Sequence, residues 1–471
     1  MDRLSGAREE NLERAAGHLE AVIERLAPGS QPELWGRACA DLGGLYWTRA
    51  HAGLGDSAAS LERARVALKM ALDRVGAQVS PAVRALLHMG LGLVLSDQLA
   101  AGVTAVDEAI DHLQAAVAAF EEEGPVAASQ MGLAYHNLGV LFRDRAGGDR
   151  QVNRAAAEQM FQRALATFAR DDYPVERRDT LQSLAALYFE DERWPEAQRC
   201  FAEGIAISEE SLGGSYTEAG RVAEVTEGRN LFSRGAYCLL QLGRLPEALA
   251  LLERGKARML NEALAWRDID VATVPDERQQ ALRWARDQIV SLRAESRRPG
   301  ASADPQRAVH LAGRLRDAGR TLANLRAAAG QEAPTDLEFA DIRAAIPAGG
   351  ALVAPVVTSK GSVAFVVPAG AGAVAQEHVL RLDALLPSRL GELMAGRQGL
   401  GGWLNAYLRH AHGQLSFSAL LAALDSLLAQ LGQVLMEPIH RRLAALGLAK
   451  GAPVLIMPSS WLSLFPLHTA G

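Results

Sequence analysis

Asp41-Leu-Gly-Gly-Leu-Tyr46 decides the reading of the first half of this chain, because it returns. It comes back as Gly90-Leu-Gly-Leu-Val-Leu95, as Asn137-Leu-Gly-Val-Leu-Phe142 and, more loosely, as Ser183-Leu-Ala-Ala-Leu-Tyr188. Aligned on Leu42, Leu91, Leu138 and Leu184, the copies step by 49, 47 and 46 residues. A fifth copy falls at Leu231–Leu242, with Gly235 and Tyr237 near the equivalent positions. Behind each copy lies a second amphipathic stretch: Leu61–Met70, Ala105–Phe120, Ala155–Phe168, Pro195–Ile207 and Pro246–Leu260. Small and large apolar residues recur there at helical spacing, as in Ala157, Phe161, Ala164 and Phe168. The pattern predicts pairs of helices. The Leu-Gly or Leu-Ala dipeptide of the first helix lets the second approach closely, and the aromatic four residues beyond the Leu fills the gap between neighbouring pairs.

The bulk numbers agree with a largely helical, folded chain. It has 471 residues, 49 % hydrophobic and 22 % charged, with aromatics at only 5 %. Ala, Leu and Arg, all strong helix formers, dominate. That length suits two or three domains. Forty-nine basic against 55 acidic side chains give a net charge of −6, which speaks against nucleic acid as a partner. Three widely spaced cysteines, Cys39, Cys200 and Cys238, fit reduced thiols. The N-terminus lacks the apolar core of a signal peptide. Apolar runs such as Ala351–Val357 are too short to cross a bilayer. The expectation is a cytoplasmic protein with no membrane partner.

The helix-pair pattern resembles the tetratricopeptide repeat (TPR), which has Leu-Gly, then Tyr, then a small-residue helix, at a period of about 34 residues. The longer steps here come from inter-helix loops such as Ala50–Asp56 and Arg145–Asp149. The resemblance implies a curved stack whose concave groove takes a protein or peptide.

The last pair leads into Glu253-Arg-Gly-Lys-Ala-Arg258. By composition this is a basic stripe on an amphipathic helix, with Arg254 and Arg258 on one face. Asp276–Arg297 and Pro305–Ala329 then read as two charged helices separated by Arg298–Asp304. Near Pro347 the period changes. Ala351–Val357 and Ser362–Val367, separated by Thr358-Ser-Lys-Gly361, read as a β-hairpin. Pro355 marks an edge strand or a bulge. Leu382–Leu393 reads as a helix, Gly396–Gly402 as a mobile loop, and Phe417–Leu446 as a long helix or a broken pair. Pro453-Val-Leu-Ile-Met-Pro458 reads as a strand inside a parallel sheet covered on both faces.

Glu253, Lys256, Ala257, Arg258 and Leu260 resemble the helix that joins a TPR array to a CHAT domain. Asp341–Pro347 resembles the opening of such a domain, and Val454–Pro458 its first core strand. Leu462, Leu464, Phe465, Pro466, Leu467 and Ala470 fit the segment that follows that strand. The chain therefore resembles the TPR–CHAT family, whose CHAT domains are caspase-like cysteine peptidases. The fold the resemblance implies is mostly α: a TPR-like α-solenoid at 1–265, a helical hairpin linker at 266–335, and the N-terminal part of an α/β caspase-like CHAT domain at 336–471. The family's Cys–His dyad lies in His-Gly and Ser-Ala-Cys sequences after later strands. The resemblance thus places it beyond residue 471, and whether this polypeptide is itself an enzyme stays open. A protein substrate is implied where the CHAT domain is complete. The alternative is a non-catalytic TPR adaptor with a degenerate CHAT remnant.

No catalytic, cofactor-binding or metal residue is assigned, and no cofactor is expected. Cys39, Cys200 and Cys238 sit on repeat helices and read as packing residues. His468 has no downstream Cys. His410 and His412 form a lone His-x-His without a nearby carboxylate. Gly370–Ala375 has the letters of a dinucleotide fingerprint but no helix after it, and reads as a turn. Gly396–Gly402 lacks the Lys-Ser/Thr of a phosphate loop.

Overall fold

A computed structural model describes residues 8–26, 28–98, 103–124, 128–170, 172–214, 218–256, 276–296, 314, 317, 318, 321, 337–397, 400–459, 462, 465 and 467. The helices run α1 (Arg8–Arg25), α2 (Pro32–His51), α3 (Ser57–Val75), α4 (Pro81–Asp97), α5 (Val103–Glu123), α6 (Ala128–Asp144), α7 (Arg150–Thr167), α8 (Pro174–Glu190), α9 (Trp194–Gly214), α10 (Glu218–Gln241), α11 (Leu245–Lys256) and α12 (Asp276–Ser296). A short helix α13 (Phe339–Ala345) precedes strands β1 (Ala351–Thr358), β2 (Gly361–Pro368) and β3 (Val379–Arg381). Helix α14 (Pro387–Ala395), the two-residue strands β4 (Gly396–Arg397) and β5 (Leu400–Gly401), and helices α15 (Trp403–Ala411), α16 (Phe417–Leu431) and α17 (Glu437–Ala445) lead to β6 (Val454–Ile456). The chain is mostly helical, with consecutive helices packed in sequence and a small mixed sheet at the C-terminal end.

Two compact units divide the chain. The first holds Met1–Leu187, Gly214–Thr217 and Asp276–Leu325, and the second Tyr188–Gly213, Glu218–Pro275 and Arg326–Gly471.

In the first unit each quoted motif sits in the first helix of a pair: α2 packs on α3, α4 on α5 and α6 on α7. Side-chain caps set the starts. The Asp56 carboxylate accepts from the Ala59 N–H at 3.0 Å, and the Asp149 carboxylate accepts from the Gln151 and Val152 N–H groups at 2.7 and 3.2 Å. Pro32 and Pro81 open α2 and α4, where a missing N–H costs nothing. The Leu-Gly dipeptides lie where the spacing places them. A Cβ on Gly43 would come within 2.6 Å of Leu68, one on Gly92 within 2.8 Å of Leu113, and one on Gly139 within 2.6 Å of Phe161. Leu68, Leu113 and Phe161 are fully buried, each inserted over a bare stretch of backbone. The residues four past the Leu fill the expected gap: Tyr46 and Leu95 are buried and Phe142 partly so. Helix α1 precedes the first copy and is tied to α2 by Trp35 Nε1–H donating to the Ile23 carbonyl (3.1 Å) and Tyr46 O–H to Glu20 (2.6 Å).

In the second unit α10 and α11 also close over a glycine, here on the second helix of the pair, where a Cβ on Gly255 would fall 2.5 Å from Phe232 Cβ of the first. Phe189, Trp194, Phe201 and Tyr237 form an aromatic cluster there, with ring centroids 5.3 to 6.2 Å apart. The sheet order is β3-β2-β1-β6, with β6 parallel to β1 and the other pairs antiparallel. The hairpin stands as expected, but the details depart from the sequence reading at four places. Leu382–Leu393 is not one helix: β3 pairs with β2 just before it, and Pro387 starts the helix late because proline suits the first turn. Gly396–Gly402 carries the β4–β5 pairing. The apolar strand is not covered on both faces: β6 is an edge strand whose Val454 and Leu455 are each 37 % exposed. Phe417–Ala445 is the long helix expected, 29 residues with a π-helical turn at Gly432–Met436, and the departure lies in its length and apolarity together. By length and mean hydropathy (1.6) it could span a bilayer, so apolar runs are not all too short, and 22 % of its most apolar window is buried. Leu427, Leu431, Leu435, Ile439 and Leu443 recur every fourth residue and pack into the core of the sheet.

Pro355 sits inside β1 without breaking it. Pairing with β6 covers only Ala351 to Val353, and Pro355 continues on that same edge, so its missing N–H costs no ladder bond. Its carbonyl instead accepts from buried Ser459 Oγ at 2.6 Å. Of the expected linker, α12 is present, while Pro305–Ala329 lies almost wholly outside the described residues. Ala257, Arg258, Leu260, Leu464, Pro466, His468 and Ala470 also lie outside them.

The glycine contacts give a paired test. Gly139→Ala should destabilise the first unit by about 1–3 kcal/mol through overpacking against Phe161. Gly44→Ala, where a Cβ meets nothing within 4 Å, should stabilise by roughly 0.5–1 kcal/mol as an exposed helical substitution. Urea midpoints of the two variants should move in opposite directions.

Candidate functional site

The second unit gathers its buried and constrained polar groups where helices meet the ends of the strands. The β1–β2 turn, Thr358–Gly361, is closed by Thr358 Oγ1–H donating to the Gly361 carbonyl (2.8 Å) while accepting from the Lys360 N–H (3.2 Å). Gly361 has φ +131°, and a Cβ there would meet the Tyr237 hydroxyl at 3.1 Å. That hydroxyl, from α10, donates to the Lys360 carbonyl at 2.9 Å. From the other side Ser359 Oγ donates to Glu190 (2.6 Å), and Lys360 Nζ pairs with Glu192 (3.3 Å). Glu192 is the one described non-glycine residue with positive φ, 58°. This left-handed residue ends α8 and holds its carboxylate at the turn, an instance of local strain kept at a contact point.

Helix α11 reaches the neighbouring strand. Glu253 is 3 % exposed and Lys256 partly buried, and they form an i,i+3 ion pair at 2.7 Å. Lys256 Nζ also donates to the carbonyl of Met457, immediately after β6. Burial pushes the Glu253 carboxyl up and the Lys256 ammonium down, and each partner opposes the other's shift. The second carboxylate oxygen, Glu253 Oε2, has no hydrogen-bond partner. Glu253 and Lys256 belong to the run singled out in the sequence. Their burial was not legible there, because the run reads as a solvated stripe. The signal was Gly255 between them, which brings α11 against Phe232 and so carries its neighbours out of water.

Beside the same helix lies a groove of about 650 Å³, lined by α9 (Gln198, Ala202, Ile205), by Ala250 and Leu251 of α11, and by Phe339. At its rim Arg254 makes a bidentate pair with Glu209, both bonds 2.6 Å.

The first unit holds a different cluster that the sequence reading missed. His88 of α4 and His112 of α5 face each other, Nδ1 to Nδ1 at 2.9 Å, beside a cavity of about 470 Å³ lined also by Lys69, Asp73 and Arg84. Burial, then the charges of His112 and Arg84, holds His88 down to about 4, and burial lowers His112 as well. His136 bonds to Thr180 Oγ1 at 3.0 Å and is held to about 4, mainly by burial. Nothing in the local sequence announces the His88–His112 pair, since the two residues come from different helices.

Cys39 and Cys238 are buried on separate helices, and burial pushes both thiols up to about 12, away from a nucleophilic thiolate. Cys200 is half-buried. His410 and His412 each bond a nearby carbonyl, of Leu415 and Leu408 respectively. Among the described residues no group of three or more His, Cys, Asp or Glu side chains could hold a metal ion. No family model matches this chain, and no curated protein matches it.

The three depressed histidines set a pH dependence. They are neutral in the fold, while the unfolded chain binds protons from about pH 6.5 downward. Their stabilisation is therefore complete above that value and is lost as pH falls below it, for His88 and His136 towards about 4. The urea midpoint should drop between pH 7 and pH 5, and His136→Gln, which keeps a partner for Thr180, should reduce the drop.

Proposed function

We propose that this chain is the regulatory N-terminal portion of a TPR–CHAT protein, a caspase-like cysteine endopeptidase governed by partner binding to its helical array. The observation that carries the reading is the order of parts. Helix pairs closed by small-residue contacts run into a sheet in which β6 joins β1 in parallel and keeps an exposed outer edge. A caspase-like α/β sheet grows by such parallel additions. The array supplies the surface for a protein or peptide, and the catalytic His and Cys belong to later strands. Sequencing the coding DNA past Gly471 and assaying its whole product tests this. A downstream His-Gly and Ser-Ala-Cys, with thiol-dependent cleavage lost on Cys→Ala, is the expected result. A product lacking both motifs would overturn the peptidase assignment.

The second reading is a non-catalytic adaptor acting in the cytoplasm. The two buried high-pKa thiols favour it for the polypeptide itself. Native alkylation at pH 8 should leave Cys39 and Cys238 unlabelled until denaturant is added, and the 471-residue protein should cleave no peptide. Labelling of either thiol in the native state would contradict the burial argument.

A further inference from the structure

The two grips on the sheet come from different helices. Helix α10 holds the end of β1 through Tyr237 and the Lys360 carbonyl. Helix α11 holds the end of β6 through Lys256 and the Met457 carbonyl. The strands they hold are parallel neighbours joined by three residue pairs only, Ala351–Val454, Leu352–Leu455 and Val353–Ile456. We propose that Lys256 is a positioning residue that converts displacement between α10 and α11 into shear along the β1–β6 seam.

Three observations carry this. The ion pair lies within one helix, so Glu253 and Lys256 travel together when α11 moves, and the bond from Nζ to the Met457 carbonyl is the one that must stretch or drag the strand. The Met457 peptide is gripped on both sides, its N–H donating to the Val353 carbonyl at 2.8 Å and its carbonyl accepting from Lys256. A pull on Lys256 therefore acts directly on the last ladder bond of the seam. Finally, the pair is costly for simple packing. A buried charge pair with an unpartnered carboxylate oxygen is commonly matched or bettered in stability by apolar side chains of similar volume. Its regulatory meaning, a relay from the helices to the strand ends, rests on the peptidase reading. The mechanical link rests on this chain's own contacts and is tested on this chain alone.

The experiment is a double-mutant cycle read by amide hydrogen exchange over Val454–Met457. Gly235→Ala is the perturbation: its Cβ would meet Leu251 of α11 at 3.2 Å and Phe201 at 3.4 Å, easing α11 away from α10. The latch is removed in the double variant Glu253→Met/Lys256→Met, which leaves no orphaned buried carboxylate and so keeps the fold. Lys256→Met alone is the harsher second variant. The double variant should exchange roughly tenfold faster at Val454–Met457 and unchanged at Val363–Val367. Gly235→Ala should accelerate the same amides several-fold in the wild-type background and add nothing in the double variant. Exchange at Val454–Met457 within twofold of wild type in the double variant would overturn the proposal, and so would a full Gly235→Ala effect persisting in it. Either outcome leaves the peptidase assignment standing, since that is decided by the sequence beyond Gly471.

Discussion

Close approach of helix to helix over a missing side chain is the constraint on which the rest depends. Gly43, Gly92 and Gly139 leave bare backbone on the first helix of each pair, and Leu68, Leu113 and Phe161 occupy the space. Fully burying such a side chain contributes about 1.5–3 kcal/mol, which offsets the roughly 1 kcal/mol that glycine costs inside a helix. In these three pairs the first helix carries the gap and the second the bulk, whereas α10 and α11 take the opposite roles, with Phe232 on the first helix and Gly255 on the second. In the first unit the pairing is therefore directional along the chain, and the quoted motif encodes it.

In the second unit the same device has a further use. Gly255 lets α11 settle on Phe232, and this takes Glu253 out of water, and Lys256 partly so, beside the end of β6. Packing thereby creates an electrostatic requirement: a charged pair in a low-dielectric place needs a third group, and the Met457 carbonyl supplies it. The turn between β1 and β2 is held in a different way, by neutral hydrogen bonds and by surface carboxylates that solvent screens. The two anchors thus respond differently to salt and to substitution, although they lie on adjacent strands.

The helix pairs, their glycines and the hairpin were legible because each rests on local periodicity. Asp41–Tyr46 and its echoes specify which face is small, and a period of 3.6 specifies which face is buried. What the sequence hid depends on residues distant along the chain. Val454–Ile456 has the composition of a central strand and sits at an edge, because the partners of a strand are set by topology rather than by its own side chains. Pro355 signalled an edge correctly only in part: β1 is interior to the sheet over its first three residues and open where the proline lies. Leu382–Leu393 looked helical because short apolar runs are ambiguous between periods. The histidine pair and the buried Glu253 share one reason for escaping notice. Polar letters on an amphipathic pattern default to solvent, and only a neighbouring helix decides otherwise.

The seam between β1 and β6 also has a consequence for how this unit is assembled. Its partners lie roughly a hundred residues apart, whereas β1 and β2 meet across a tight turn, and loop closure adds entropy before a distant contact can repay it. The hairpin should thus form early and β6 arrive last, once α14 to α17 have folded into the intervening chain. Until then the edge of β1 stands open along Ala351–Val353. During synthesis that vacancy is where a strand from a second copy could enter in place of the chain's own, so the three-residue seam sets the interval in which this protein is most exposed to strand exchange.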